Sequence, residues 1–132
     1  MVIDSSAVIA ILRKEPEHLD FANLIAGAAT RIMSAATVLE TGMLLEARRG
    51  EPAGREFDFF LMEAKIDVAS VDREQAEAAR KAWRKYGKGR HPAALNFGDC
   101  FVYALAKITG EPVLAKGNDF PLTDIPICIS NL

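Results

Sequence analysis

The chain reads as an α/β protein: a three-layer α/β/α sandwich around a central, mostly parallel sheet. Three observations predict this class. Residues 2–3, 31–34 and 112–115 are short apolar runs, and 66–69 alternates as a strand does. Segments of helical periodicity separate these runs, the order expected of a parallel sheet with helices on both faces. At 132 residues, 50% of them hydrophobic and 26% charged, there is material for one domain with a real core, 1–132, and none for a second.

Each element has a local reason. Val2-Ile3 is a buried strand, and Asp4-Ser5-Ser6 caps a helix that carries Ala7 to Leu12. Pro16 opens a second helical segment with Leu19, Phe21, Ala22 and Ile25 at helical intervals, closing near Gly27. Ser34 ends the second strand and caps a helix that runs to Gly50, on which Glu40 shares a stripe with Ala36, Met43, Leu44 and Ala47. Gly50-Glu51-Pro52 stops it and starts another, with Phe57, Phe60, Leu61 and Ala64 inward. Asp72 and Gln75 form a capping pair for a helix expected to turn Ala76, Ala79, Trp83 and Tyr86 to the core. After Pro92 comes a central helix, apolar on nearly every side and ended by Gly110. The 112–115 strand, a turn at 116–119 and a last short strand at 127–129 complete the chain.

Composition excludes several classes. Cys100 and Cys128 have no CxxC spacing, so neither a disulfide scaffold nor a zinc site is indicated, and a reducing, cytoplasmic setting is expected. The early apolar run is too short for a signal sequence or a membrane span. There is no GxSxG, HExxH, GxxxxGK[ST] or glycine-rich dinucleotide loop.

What remains is a set of acids. Asp99 lies in the apolar central helix with no Lys or Arg within a turn, and an ionised carboxylate out of water needs a cation, a proton or several hydrogen bonds. Glu40 is a second acid on an apolar stripe. Asp4 and Asp119 follow strands, at the carboxyl edge where ligands bind in such sheets. Taken singly each has an ordinary use: a helix cap, an ion pair, a turn, a hydrogen-bonded core acid. Together on one edge they would repel one another unless a cation sat among them, and carboxylate oxygens without histidine, since neither His18 nor His91 lies in these motifs, point to Mg2+, with Mn2+ as a substitute. A divalent ion that keeps waters is suited to phosphoryl chemistry.

Val2-Ile3-Asp4-Ser5-Ser6-Ala7, Glu40 in Thr37-Val38-Leu39-Glu40, the run from Tyr86-Gly87-Lys88 to Leu95-Asn96-Phe97-Gly98-Asp99-Cys100-Phe101, and Lys116-Gly117-Asn118-Asp119-Phe120 resemble the PIN-domain ribonucleases. More narrowly they resemble the VapC toxins of bacterial toxin–antitoxin pairs, over essentially the whole chain. The resemblance implies a PIN-like fold and catalytic, metal-binding roles for Asp4, Asp99, Glu40 and Asp119, with Ser6 orienting Asp4 or a water and Asn118 and Lys116 in support. It also implies magnesium-dependent endonucleolytic cleavage of RNA, transfer or ribosomal, together with homodimerisation and inhibition by a cognate VapB antitoxin. One departure is Ser5, where the family commonly has threonine; a hydroxyl is kept.

The formal charge of −2 is unfavourable for a polyanion, but neutralising four site acids moves it by +4 to +2. The stretch from Arg80 to His91 is locally basic, and Arg80, Arg84, Lys85, Lys88 and Arg90 are candidates for RNA phosphates against a plain solvated face. Trp83 and Tyr86 could stack on bases, although at helical spacing they read as core. Lys116 is placed to steady a phosphate or to pair with a site acid, and the helix faces around Met43 and Phe57 are candidate dimer surfaces. The competing readings are an aspartate-based phosphoacceptor or phosphatase domain using Asp4, and a non-catalytic RNA- or protein-binding module.

Overall fold

The computed structural model describes residues 1–128; Ile129, expected in the last strand, lies outside them. In chain order the elements are β1 (Val2–Ile3), α1 (Ser5–Leu12), α2 (His18–Gly27), β2 (Ile32–Ser34), α3 (Ala35–Arg49), α4 (Glu51–Glu63), β3 (Asp67–Ala69), α5 (Arg73–Tyr86), α6 (Phe97–Thr109) and β4 (Val113–Leu114), then a 3-10 turn at Phe120–Leu122. Ile127 adds one isolated parallel bridge to Val113.

The four strands form one sheet in the order β3-β2-β1-β4, and every pairing is parallel. Val2 faces both Ile32 and Val113, and Ile3 faces Leu114. Because side chains alternate along a strand, each pair of neighbours feeds opposite layers. Val2 and Val113 join the core that holds Ala79, Ala82, Tyr86, Leu95, Val102 and Tyr103 of the α5–α6 side. Ile3, Met33 and Leu114 join the core of Val8, Ile25, Leu45 and Phe57 on the α1–α4 side. Two helical layers clasp a sheet that is buried on both faces, as the short apolar strands require.

Most helix ends are where sequence chemistry puts them. Asp4, Ser34, Asp72 and Asn96 each accept from an amide of the first turn, and Gly110 ends α6 in the left-handed region at φ 74°. A helix that returns the chain to a parallel sheet runs against the strands, so α1, α3 and α6 all begin at the sheet's carboxyl edge.

Two inward faces differ from the sequence reading. On α3 the buried stripe is Thr37, Thr41 and Leu45, while Met43 is 62% exposed and Leu44 and Ala47 are also exposed. Threonine can fill this place because Thr41 Oγ1 donates to the Thr37 carbonyl at 2.7 Å, satisfying its own hydroxyl within the helix. On α5 the inward set is Ala79, Ala82 and Tyr86, and Trp83 stands 46% exposed. The small Ala79 and Ala82 take the buried positions of α5 in the core shared with α6. Phe57 is core at 2% exposure, which removes it as a dimer surface.

Candidate metal centre

The site grows from β1. Asp4 follows the strand, its amide held by the Leu114 carbonyl at 2.9 Å, so its side chain stands at the carboxyl edge between β1 and β4. Its Oδ2 accepts from the Ser6 amide at 3.0 Å and from Ser6 Oγ at 2.6 Å. Ser6 Oγ in turn accepts from the Lys116 amide at 2.9 Å, tying the loop after β4 to the cap of α1. Asp4 is only 5% exposed. Burial raises its pKa above the ordinary carboxylate value, opposed by the Ser6 and Ser5 hydrogen bonds and reinforced by the charge of Asp119.

Asp99 is not in the middle of its helix, as its apolar surroundings suggested, but at the third position of α6. It forms a reciprocal capping box with Asn96: the Asn96 amide donates to Asp99 Oδ2 at 3.0 Å, and the Asp99 amide donates to Asn96 Oδ1 at 2.9 Å. The partner sought for this acid is thus partly local. Burial nevertheless pushes its pKa up to about 6, and the charges of Asp4, Asp119 and Glu40 add to the rise while the Asn96 amide opposes it.

Glu40 reaches the same place from α3. Burial raises its pKa, the Ser5 hydroxyl opposes the rise, and the charge of Asp4 adds to it. Its carboxylate lies on Gly98 of α6: a Cβ there would stand 2.1 Å from Oε2. Gly98 therefore provides space rather than a special backbone angle. It was missed as a site residue, as was Asn96, although an Asn three residues before an Asp at the head of an apolar run is a capping signature.

Asp119 sits exposed in the turn before Phe120, near enough for its charge to act on both Asp4 and Asp99. Asn118 is exposed beside it. Asp124 is committed elsewhere: it accepts from Tyr103 Oη at 2.5 Å and from Lys107 Nζ at 2.8 Å, and those bonds hold its pKa down to about 2. Lys116 pairs with Glu15 at 2.8 Å and Glu17 at 2.9 Å, so its ammonium is engaged by acids outside the site and only its backbone serves Ser6.

Four acids distant in sequence thus share one neighbourhood. Among the described residues no three Asp, Glu, His or Cys side chains stand in a ready-made ligand cage. That narrows the expectation of four direct ligands. An all-oxygen, mutually repelling donor set fits Mg2+ or Mn2+ and disfavours softer metals.

The basic residues lie on α5 and the loop after it, all exposed. Among the described residues none of Arg80, Arg84, Lys85, Lys88 and Arg90 has a carboxylate partner within 4.0 Å. No helix among the described residues is long and apolar enough to cross a membrane.

Comparison with known proteins places the chain in a family. The PIN domain family model matches residues 1–126. Ribonuclease VapC30 of Mycobacterium tuberculosis is 54% identical over 125 residues, 95% of each chain. Ribonuclease VapC of Mycolicibacterium smegmatis is 53% identical over 125 residues, 95% of this chain and 97% of the relative. Among solved structures, Mycobacterium tuberculosis VapC20, described as a Sarcin-Ricin loop cleaving toxin, superposes with a TM-score of 0.75 at 20% identity, covering 94% of this chain and 95% of that one. VapBC2 of Rickettsia felis, bound to a DNA fragment from its promoter, gives 0.74 at 11% identity over 96% of each chain. With its acids at the carboxyl edge of a parallel sheet and these relatives along its length, this chain belongs to the PIN-domain family, among the VapC ribonucleases.

Proposed function

We propose that the chain is a magnesium-dependent endoribonuclease, the toxin of a toxin–antitoxin pair, hydrolysing phosphodiester bonds in single-stranded or loop RNA. The observation that carries this reading is that the charges of Asp4, Asp119 and Glu40 all act on Asp99, which groups four acids from the end of β1, α3, α6 and the turn after β4. Asp4 and Asp99 would hold the ion, with Glu40 and Asp119 reached directly or through water. When bound, it supplies positive charge for the phosphate oxygens and acidifies a water.

The protein's own part is orientation. Ser6 fixes Asp4 through two hydrogen bonds to one oxygen, leaving Oδ1 free of them. Asn96 holds Asp99 by Oδ2 alone, again sparing Oδ1. Gly98 admits the Glu40 carboxylate to the mouth of α6. In the hydrolysis a water oxygen bonds to phosphorus, the P–O3′ bond breaks and the proton ends on O3′, leaving 5′-phosphate and 3′-hydroxyl ends. The unpaired cations of α5 are suited to the flanking phosphates, so binding should weaken with salt.

By likeness to the Rickettsia felis complex we assign a VapB-type antitoxin as partner. We also assign a second copy of the chain, for which the exposed Leu39 and Met43 of α3 offer an apolar face. The test is incubation of purified protein with RNA in Mg2+ or excess EDTA, followed by sequencing of the cut ends. Magnesium-dependent cuts with 5′-phosphates are expected. Undiminished cutting in EDTA, or by Asp99→Asn, would overturn the mechanism.

A further inference from the structure

A cavity of about 630 Å3 lies between α5 and α6, beside the Asn96–Asp99 capping box. Ala76, Ala79, Leu95, Cys100 and Phe101 form apolar wall, Trp83 and Phe97 contribute aromatic rings, Arg80 and Lys88 are its only charged lining among the described residues, and Asn96, the capping partner of Asp99, joins it to the site. Phe97 is 82% exposed, although its ring packs edge-on against Phe101 at 4.9 Å. A protein leaves large aromatics in water beside an apolar cleft when something else covers them.

The indole is held in place. The Arg90 guanidinium lies 4.5 Å from its ring centroid, and Arg90 Nε is anchored on the Arg84 carbonyl at 3.1 Å. Gly87 makes room for it: a Cβ at that position would stand 2.6 Å from Trp83 Cδ1. A ring fixed in this way loses little entropy when a flat partner stacks on it.

From this we infer that the α5–α6 cleft is a nucleobase subsite: it receives an unpaired base of the RNA next to the scissile phosphate, stacked against Trp83 and Phe97, while Arg80 and Lys88 take the adjoining phosphates. The inference rests on the nuclease reading and adds to it the part that selects sequence. Charge favours RNA over a second copy of the chain. An isologous contact would bring two sets of Arg80 and Lys88 together, with no acid lining the cleft to offset them, whereas RNA offers a flat apolar face and anions together. Stacking on aromatic rings is open to every base, so discrimination would come from the polar rim.

Trp83 is the only tryptophan in the chain, so its emission reports the cleft directly. The Asp99→Asn protein is titrated with a single-stranded RNA hexamer, the same sequence as a duplex, and inorganic polyphosphate. Saturable quenching by the single strand alone is expected, and quenching by polyphosphate equal to that by the single strand would overturn the subsite. In the otherwise native chain, Trp83→Leu should lower kcat/KM by about tenfold and flatten base preference at one position beside the cut, with Trp83→Phe retaining most of both. An unchanged cleavage profile and rate in a folded Trp83→Leu protein would overturn the proposal and leave the nuclease intact. Quenching by RNA without cleavage of any RNA in Mg2+ would support the subsite and sink the nuclease. If Trp83→Leu or Phe97→Ser instead halves the sedimenting mass, the cleft belongs to a second copy and the base subsite falls.

Discussion

Gly98 has no side chain where Glu40 needs the space, and this gives a sharp test of the site. In Gly98→Ala a methyl group would occupy the position 2.1 Å from Glu40 Oε2, so the carboxylate must swing away. The backbone at 98 is ordinary helix and α6 itself should gain from alanine. The expected outcome is a thermal midpoint within a few °C of the parent and RNA cleavage reduced about 10- to 100-fold. Equal loss of fold and activity would show that Gly98 serves packing alone. Asp99→Asn separates the same two properties in the other direction. Asparagine keeps an acceptor for the Asn96 amide and removes a charge that burial and three neighbouring acids disfavour. In metal-free buffer above pH 6 its midpoint should rise, by roughly 2–4 °C, while Mg2+ should no longer shift it.

Between elements, the link that matters runs from the Lys116 amide through Ser6 Oγ to Asp4. Ser6→Ala removes two hydrogen bonds at once and leaves Asp4 with the backbone amide alone. A destabilisation of about 1–2 kcal/mol by urea unfolding is expected, with cleavage reduced further than stability explains; Ser6→Thr, which keeps the hydroxyl, should restore much of both. At this scale the sequence was readable wherever periodicity and caps act locally. Asp4, Ser34 and Asp72 were recognisable as caps, Gly110 as a stop, and strands as short as two residues stood out through their unbroken apolar character. The inward faces of α3 and α5 were not so readable, because hydrophobicity ranks side chains without knowing how closely two helices approach. Threonine at 41 went inside by bonding to its own helix, and tryptophan at 83 went to the surface while the small Ala79 and Ala82 took the inward positions. For the site, Asp4, Glu40 and Asp99 could be selected as acids in apolar company or at strand ends. Gly98 could not, because its partner is fifty-eight positions away and only the packing of α3 on α6 brings them together.

For the whole molecule the acids make a prediction about pH. Asp99 titrates near 6 in the folded chain and at the ordinary 3.8 when unfolded, and burial moves Asp4 and Glu40 in the same direction. Between these two values the folded state binds more protons than the unfolded, so raising the pH through this window withdraws stability from the metal-free protein. Asp124 works oppositely, since its carboxyl is held down to about 2, and what it contributes is present above 3.8 and lost only as pH falls towards 2. The two effects therefore do not overlap between pH 4 and 6. Metal-free protein in EDTA should show a thermal midpoint that falls as the pH is raised across that interval, and Asp99→Asn should flatten the fall. Added Mg2+ binds the ionised carboxylates and stabilises in proportion to its occupancy, so the gain it gives should be small at pH 5 and largest above pH 7. A midpoint that climbs with pH in EDTA, or a magnesium effect independent of pH, would mean that these acids neither strain the fold nor share an ion.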